Sequence, residues 1–297
     1  METVEFNGWT DNIRLANKKV ELIITRNVGP RVIRFGYIGE KNVLGEIPGQ
    51  QGGMGEDEWM IRGGHRLWIA PEEKPKSYEL DNTPIEAEEI PGGVKTVQPP
   101  GPITGIVKSM EIALAPDSNV VTVDHILTNN GEGAVEPAPW ALSVMCLNGT
   151  AVIPLPHKIP HTERLTHNQE WSLWGYTDFS DPRWTIGRRY VTFRQDPYRG
   201  PNKLGIAHSE GWAGYYTDGF LFIKRFAREK DASYPDGGVN FETFANEEFL
   251  EMESIGSLVT LKPGESARHR ETWSLHRDVP EWKSEDDIDR DIKPLAR

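Results

Sequence analysis

Apolar and polar residues alternate along most of the chain with a period of two. The alternation is clearest in short runs rich in β-branched and aromatic residues, at positions 20–25, 30–37, 109–114, 119–127 and 219–226. Clusters of Gly, Pro, Asn and Asp separate the runs, at 27–30, 91–93, 99–102, 129–131 and 235–238. Because side chains alternate across a strand, this pattern predicts an all-β chain of antiparallel strands joined by turns.

Strands without long helices must pack sheet on sheet or close into a barrel, because a lone sheet leaves an apolar face in water. No repeat of fixed period or composition break divides the chain, so we expect one large antiparallel β-sandwich domain over residues 1–280. The tail, residues 281–297, differs from the rest. Ser284 and Asp287 are spaced as a helix-capping pair, and Ile288 and Ile292 fall on one side of a short helix.

Composition narrows the classes of partner. The 297 residues carry a formal net charge of -12, which argues against nucleic acid or an anionic membrane surface. The single cysteine, Cys146, excludes an internal disulfide and lies in an apolar run, where a buried, inert thiol is expected. No signal peptide or membrane-spanning apolar segment is evident in the sequence. We therefore expect a soluble, cytoplasmic protein, whose oligomeric state the sequence does not specify.

Several catalytic signatures are missing from the sequence. It has no Walker loop, dinucleotide fingerprint, Gly-x-Ser-x-Gly elbow or zinc signature, so we expect neither a cofactor nor a metal. His157 opens a loop that also holds His161 and His167, but no acidic residue or cysteine joins them at a ligand spacing. We expect at most a loop over a cleft to which His157 contributes.

Two glutamates near the C-terminal end are candidates for proton transfer. On a strand, Glu251 and Glu253 share one face with Phe249 and Ile255. If that face is buried, the carboxylates must be paired, hydrogen-bonded or partly protonated, and such pairs supply general acids and bases. The alternative is a solvated strand face.

The stretch Gly63-Gly64-His65-Arg66-Leu67-Trp68 is a second candidate. The glycines permit a turn or a close approach, Arg66 offers a fork of donors for hydroxyls or a carboxylate, and Trp68 offers a flat apolar face. The alternative is a turn that enters an edge strand, with Arg66 paired to a nearby acid.

Two further residues have both a binding and a structural interpretation. Trp140 follows two prolines and either lines a cleft or fills the core. Lys224 shares a strand face with Phe222 and Phe226, so it needs a carboxylate or a ligand as partner, and we expect Glu251 or Glu253. Alternatively, Lys224 protects an edge strand from aggregation.

Several short motifs stand out in order along the chain: Gly29-Pro30-Arg31-Val32, Thr128-Asn129-Asn130-Gly131 with Ala138-Pro139-Trp140, Phe241-Glu242-Thr243-Phe244-Ala245-Asn246 with Leu250-Glu251-Met252-Glu253, and Leu261-Lys262-Pro263-Gly264-Glu265. Taken together, these motifs resemble the galactose mutarotase-like superfamily, which includes the aldose 1-epimerases. They span most of the chain.

The resemblance implies a large supersandwich with a sugar site on its concave sheet. In aldose 1-epimerases a glutamate takes the proton of the anomeric hydroxyl while a histidine protonates the ring oxygen. Glu251 is the residue we carry over as base, with Glu253 as the alternative. This chain has Trp140 where the family places its histidine, so His65 is the expected acid, with His157 as a second candidate. The expected substrate-binding residues are Arg66, Trp68, Trp140, His157, Lys224, Glu242 and Asn246.

Three functions stay open at this point. The first is mutarotation of a sugar, with Glu251 beside Lys224 and an activity that falls on acidification. The second is a non-catalytic protein that binds or senses a sugar or oligosaccharide, because Trp140 replaces the acid. The third is glycoside processing by two carboxylates, although neighbours on one strand rarely flank a substrate from both sides.

Overall fold

The computed structural model describes residues 2–297, which form two stacked antiparallel sheets of ten strands each. The first ten strands along the chain are β1 (Glu2–Phe6), β2 (Trp9–Ala16), β3 (Val20–Thr25), β4 (Arg31–Tyr37), β5 (His65–Ala70), β6 (Glu86–Ile90), β7 (Gly93–Val97), β8 (Ile106–Leu114), β9 (Val120–Asn129) and β10 (Ala138–Met145). The others are β11 (Thr150–Pro154), β12 (Trp171–Leu173), β13 (Trp184–Ile186), β14 (Tyr190–Arg194), β15 (Asn202–Ile206), β16 (Trp212–Thr217), β17 (Phe220–Phe226), β18 (Phe241–Ala245), β19 (Leu250–Ile255) and β20 (Ser266–His276). The predicted all-β sandwich is confirmed.

The chain crosses repeatedly between the two sheets. Sheet one has the order β1-β2-β3-β4-β5-β10-β19-β18-β15-β12, and sheet two the order β13-β14-β11-β16-β17-β20-β9-β8-β7-β6. The central strands of sheet one, β5, β10, β19 and β18, therefore come from distant parts of the sequence. Their side chains alternate between the inter-sheet core and the outer face.

The main core lies between the sheets. Leu67, Met252 and Leu204 contribute to it from sheet one, and Phe222 and Trp273 from sheet two. All five side chains are almost fully buried, and burial of such a residue stabilises the fold by about 1.5–3 kcal/mol. This packing fixes which face of each strand points outwards.

The C-terminal tail covers the outer face of sheet two. Its helical turns are α1 (Glu285–Asp287), Ile288–Ile292 and Lys293–Ala296, and a separate turn lies at Lys76–Tyr78. Ser284 caps α1: its hydroxyl accepts from the backbone N–H of Asp287, whose carboxylate accepts from the backbone N–H of Ser284. Ile288 and Ile292 pack against Leu221 and Ile223. Within residues 2–297, no helix has both the length and the apolar character needed to cross a bilayer.

Candidate functional site

A cleft of about 240 Å³ opens on the outer face of sheet one, at its centre. Aromatic side chains form much of its wall: Trp59, Trp68, Tyr78, Trp140, Tyr176, Phe244 and Phe249. Its charged lining residues are Glu72, Arg66, Lys203, Glu251 and Glu253. An aromatic wall with a few polar groups is typical of a small-molecule site.

Strand register explains why these side chains meet. Leu142 of β10 lies opposite Arg66 on β5 and opposite Glu253 on β19, and Glu253 lies opposite Glu242 on β18. Residues opposite one another project to the same side of the sheet. The outer face of four neighbouring strands thus brings together groups that are up to 187 positions apart, as Arg66 and Glu253 are.

Arg66 and Glu251 form a buried ion pair on one side of the cleft. The guanidinium Nη1 lies 2.8 Å from the Glu251 carboxylate, and the guanidinium carbon is 4.6 Å from the centre of the Trp68 ring. Among the described residues, neither Arg66 Nε nor the indole N–H of Trp68 or Trp140 has a hydrogen-bond acceptor. These donors are buried and unsatisfied beside the cleft.

Lys203 holds two carboxylates on the other side of the cleft. Its ammonium lies 2.6 Å from Glu242 and 3.3 Å from Glu253. It also lies 4.9 Å from the centre of the Trp140 ring and 4.7 Å from that of Trp174. Burial opposes the charge of Lys203, but Glu253 and Glu242 outweigh that effect and raise its pKa, so it remains an ammonium.

The two carboxylates that share Lys203 are unusually basic. Burial raises the pKa of Glu242 to about 8, although Lys203 lowers it. Burial also raises the pKa of Glu253 to about 7, again against Lys203, and the neighbouring charge of Glu251 adds to the rise. Because the two groups titrate as a pair, the pair retains a proton near neutral pH. This pair, of which Glu253 lines the cleft, lies beside the ion pair of Glu251 with Arg66.

The structure places the predicted site residues in different regions. Five of them line the cleft: Arg66, Trp68, Trp140, Glu251 and Glu253. Glu242 adjoins it through Lys203. Asn246 instead caps a turn, where its side-chain oxygen accepts from the backbone N–H groups of Glu248 and Phe249. His157 lies in a separate cleft of about 470 Å³ and is exposed.

His65 lies behind the cleft, which contradicts its prediction as the acid. Adjacent strand residues face opposite sides, so with Arg66 in the cleft His65 points between the sheets, where it is fully buried. Its Nδ1 lies 2.8 Å from Ser143 Oγ and its Nε2 lies 2.7 Å from His125 Nε2. Burial, with the charge of Lys224, holds the pKa of His65 well below its usual value. It has no route to a molecule in the cleft.

Lys224 also lies between the sheets, so its expected pairing with Glu251 or Glu253 is wrong. Its ammonium is 2.8 Å from the Glu271 carboxylate, and both side chains are fully buried. Burial lowers the pKa of Lys224, against the raising effect of Glu271. The predicted dependence of activity on a Glu251–Lys224 contact has no basis in this geometry.

One group of side chains in residues 2–297 has the proximity needed to hold a metal. Ligand atoms of His65, His125 and Glu271 lie within 4.8 Å of one another. Two imidazole nitrogens bound to one zinc ion would lie about 3.3 Å apart, given Zn–N bonds of about 2.0–2.1 Å. The observed 2.7 Å separation of the two Nε2 atoms fits a shared proton instead. Because Lys224 already neutralises Glu271, the arrangement is that of a hydrogen-bonded network.

Sequence reasoning missed Lys203, the residue that links Glu242 to Glu253. The only sign of it in the sequence is a lysine in the short run Asn202-Lys203-Leu204-Gly205-Ile206. On a strand, its side chain points to the face away from that of Leu204. Nothing local shows that two carboxylates from other strands meet it. Trp59, Tyr78 and Tyr176 were also missed, because they reach the cleft from loops and a single helical turn.

Comparison with solved structures identifies the fold. A galactose mutarotase-like protein from Lactobacillus casei ATCC 334 superimposes with a TM-score of 0.62 at 12% identity, covering 89% of this chain and 100% of that chain. The Slr1438 protein from Synechocystis sp. PCC 6803 gives 0.59 at 12%, covering 93% and 100%. A galactose mutarotase related enzyme from Lactobacillus acidophilus gives 0.52 at 10%, covering 92% and 100%.

The chain therefore has the galactose mutarotase-like fold, and the resemblance of its motifs is confirmed at that level. No protein-family profile matches the sequence, and no curated protein does. Because these identities are low, the similarity covers the fold and leaves the activity to be inferred from the cleft.

Proposed function

We propose that this protein interconverts the anomers of a small sugar, with Glu251 as general base and Glu253 as general acid. The observation that carries the proposal is the state of the two carboxyl groups in one aromatic cleft. Glu251 is ion-paired with Arg66, whereas Glu253 shares Lys203 with Glu242 and has a raised pKa. Two carboxyl groups with opposite protonation can work as base and acid.

The lining of the cleft suits a sugar. The C–H faces of a pyranose stack on flat aromatic rings, which the more exposed lining residues Tyr176 and Phe244 offer, while hydroxyl groups need donors and acceptors. Arg66 and Lys203 supply donors, and the carboxylates that line the cleft supply acceptors. The fold adds support, since two of the solved structures above are described as mutarotase-like or mutarotase-related.

The reaction needs one base and one acid near C1 of the sugar. Glu251 takes the proton of the anomeric hydroxyl, the C1–O5 bond breaks as the C1=O1 double bond forms, and O5 receives the proton of Glu253. Rotation about C1–C2 presents the other face of the aldehyde, and the reverse steps close the ring. Each carboxyl group regains its original state. O1 and O5 are both bonded to C1, so groups on one wall can reach both.

The supporting residues maintain this asymmetry. Arg66 donates to the Glu251 carboxylate at 2.8 Å and fixes its position. Burial raises the pKa of both Glu242 and Glu253, so the pair keeps a proton. Lys203 lowers both pKa values, so the pair also keeps a negative charge. Glu253 thus takes the role that the family gives to a histidine.

A second candidate function is binding without catalysis. None of the cleft-lining residues within 2–297 is a histidine, and Trp140 occupies the position where the resemblance expects one. A sugar-binding or sugar-sensing protein would keep the aromatic wall and need no acid.

The experiment that tests the proposal is saturation-transfer NMR on a panel of free and phosphorylated aldoses. Exchange between α and β anomers that is faster with the protein than without it supports catalysis. Sugar resonances that broaden or shift without faster exchange favour the binding protein. If no aldose shows either effect, both proposals fail.

A further inference from the structure

A buried ion pair lies directly behind the cleft, between the sheets. Lys224 on β17 and Glu271 on β20 both belong to sheet two and point towards sheet one. Glu271 also accepts hydrogen bonds from the indole N–H of Trp273, at 2.7 Å, and from the hydroxyl of Ser254 on sheet one. Each of these side chains is 0–1% exposed.

The ammonium of Lys224 contacts the backbone at the floor of the cleft. It donates to the carbonyl oxygen of Ala141 at 3.2 Å and to that of Met252 at 3.0 Å. Ala141 and Met252 directly precede Leu142 and Glu253, which lie opposite each other on β10 and β19. One cation therefore joins the two central strands at the register position from which Glu253 projects into the cleft.

The cost of this arrangement indicates a role beyond packing. Burying an ammonium and a carboxylate carries a large desolvation penalty, and apolar side chains of similar volume often stabilise a core as well or better. Apolar residues such as Phe222 and Met252 fill other inter-sheet positions nearby, although Ser254, His65 and His125 also adjoin Glu271. The directional feature that apolar residues cannot supply is the pair of hydrogen bonds to the two carbonyls.

We infer that Lys224, held by Glu271, is a positioning residue that fixes the backbone under Glu253. This inference rests on the proposed function, in which Glu253 must reach the sugar while staying 3.3 Å from Lys203. A small displacement of β19 against β10 would change both distances. Catalysis is sensitive to such changes, because a shift of about 1 Å can cost about 100-fold in rate.

The test compares two doubly substituted proteins. Lys224→Met with Glu271→Gln removes both charges together, so neither is left buried and unpaired. The control is Arg34→Met with Glu21→Gln: Arg34 is 8% exposed, pairs with Glu21 at 2.8 Å and donates to the carbonyls of Tyr37 and Glu40. Both substitutions thus remove a cation, its carboxylate and two bonds to the backbone, but Arg34 lies outside the cleft.

Two measurements are made on each protein. In anomer exchange, the Lys224/Glu271 variant should lose about tenfold or more in kcat with less than about threefold change in KM, while the control keeps its kcat. In ¹³C NMR of the free protein, the titration of the Glu253 and Glu242 carboxyl groups should shift in the Lys224/Glu271 variant and stay unchanged in the control.

The titration needs no substrate, so it decides the inference even if the wild-type protein exchanges no anomers and the proposed function fails. An unchanged titration, or equal kcat losses in variant and control, would overturn the positioning role. If the double variant does not fold, Ser254→Ala replaces it, since it removes one support of Glu271 and leaves the ion pair. The same titration should then shift in the same direction, and an unshifted one would again overturn the inference.

Discussion

At the scale of single residues, two glutamates on one face of β19 differ in the cations with which they pair. Glu251 has an arginine to itself, whereas Glu253 shares one lysine with Glu242. Burial acts against charge on both Glu242 and Glu253, and a single ammonium cannot fully compensate two buried carboxylates. The asymmetry between the two carboxyl groups follows from the number of cations on each side.

The rate of anomer exchange should fall as pH rises through about 7 to 8. The acid, Glu253, must carry its proton, and its pKa is raised to about 7 while that of its partner Glu242 is raised to about 8. Above this range the pair loses its last proton and cannot protonate the ring oxygen. A pH–rate profile of kcat measures this limb. A rate that stays constant up to pH 9 would exclude Glu253 as acid.

Lys203→Met should move this alkaline limb to higher pH. Removing the ammonium removes the charge that lowers the pKa of both Glu242 and Glu253, so each carboxyl group holds its proton more strongly. The profile of the variant, compared with that of the wild type, checks the direction. A limb that moves to lower pH would contradict the role of Lys203.

The sequence indicated much of this site but misplaced two members. Glu251, Glu253, Arg66, Trp68 and Trp140 were predicted as site residues from type and spacing, and the structure places them in one cleft. His65 was predicted there too, although a strand that turns Arg66 outwards must turn its neighbour inwards. Lys224 was given the wrong carboxylate because Glu251 and Glu253 point outwards from sheet one, whereas its partner Glu271 lies on β20, the strand next to its own in sheet two.

At the scale of elements, periodicity predicted individual strands well but did not show which strands pair with which. The alternating runs at 20–25 and 30–37 became β3 (Val20–Thr25) and β4 (Arg31–Tyr37). The pairing of β10 with both β5 and β19 joins strands that no turn connects. Such register depends on tertiary packing of faces, which local sequence does not encode. The three-residue strands β12 and β13 are too short to show alternation.

Ser284→Ala should destabilise the docked tail by about 1 kcal/mol, the usual cost of losing a helix N-cap. The Ser284 hydroxyl accepts from the backbone N–H of Asp287 at the start of α1. Urea unfolding followed by tryptophan fluorescence measures the change in unfolding free energy. Ser180→Ala, in an exposed loop, is the comparison substitution. A difference between the two variants below about 0.3 kcal/mol would show that the cap contributes little.

At the scale of the whole molecule, the two sheets share an interior that holds charge as well as apolar surface. Four buried histidines belong to it or lie near it: His65, His125, His208 and His269. Burial lowers the pKa of every one of them, to about 3 for His208 and His269. The sandwich was predictable because alternation and turns repeat along the chain, whereas this polar interior required the sheet order.

Global stability should therefore decrease on acidification from pH 6.5 towards pH 4.5. In this window the unfolded chain binds protons at the four histidines while the folded protein does not, which favours unfolding. Glu242, Glu253 and Asp236 act in the opposite sense, because burial raises the pKa of each carboxyl group, but they are three groups against four histidines. Each net proton contributes about 1.4 kcal/mol per pH unit. Urea unfolding at pH 7 and pH 5 measures the slope, and stability that rises on acidification would contradict it.

The most direct test of the central claim is saturation-transfer NMR of anomer exchange in three variants. With the aldose that the wild type exchanges fastest, Glu251→Gln and Glu253→Gln should each lower kcat by about 100-fold or more, the usual contribution of a general acid or base. Glu248→Gln, an exposed turn residue outside the cleft, should leave the rate unchanged. If Glu251→Gln and Glu253→Gln both exchange anomers at the wild-type rate, the account of the cleft as an acid–base site is contradicted.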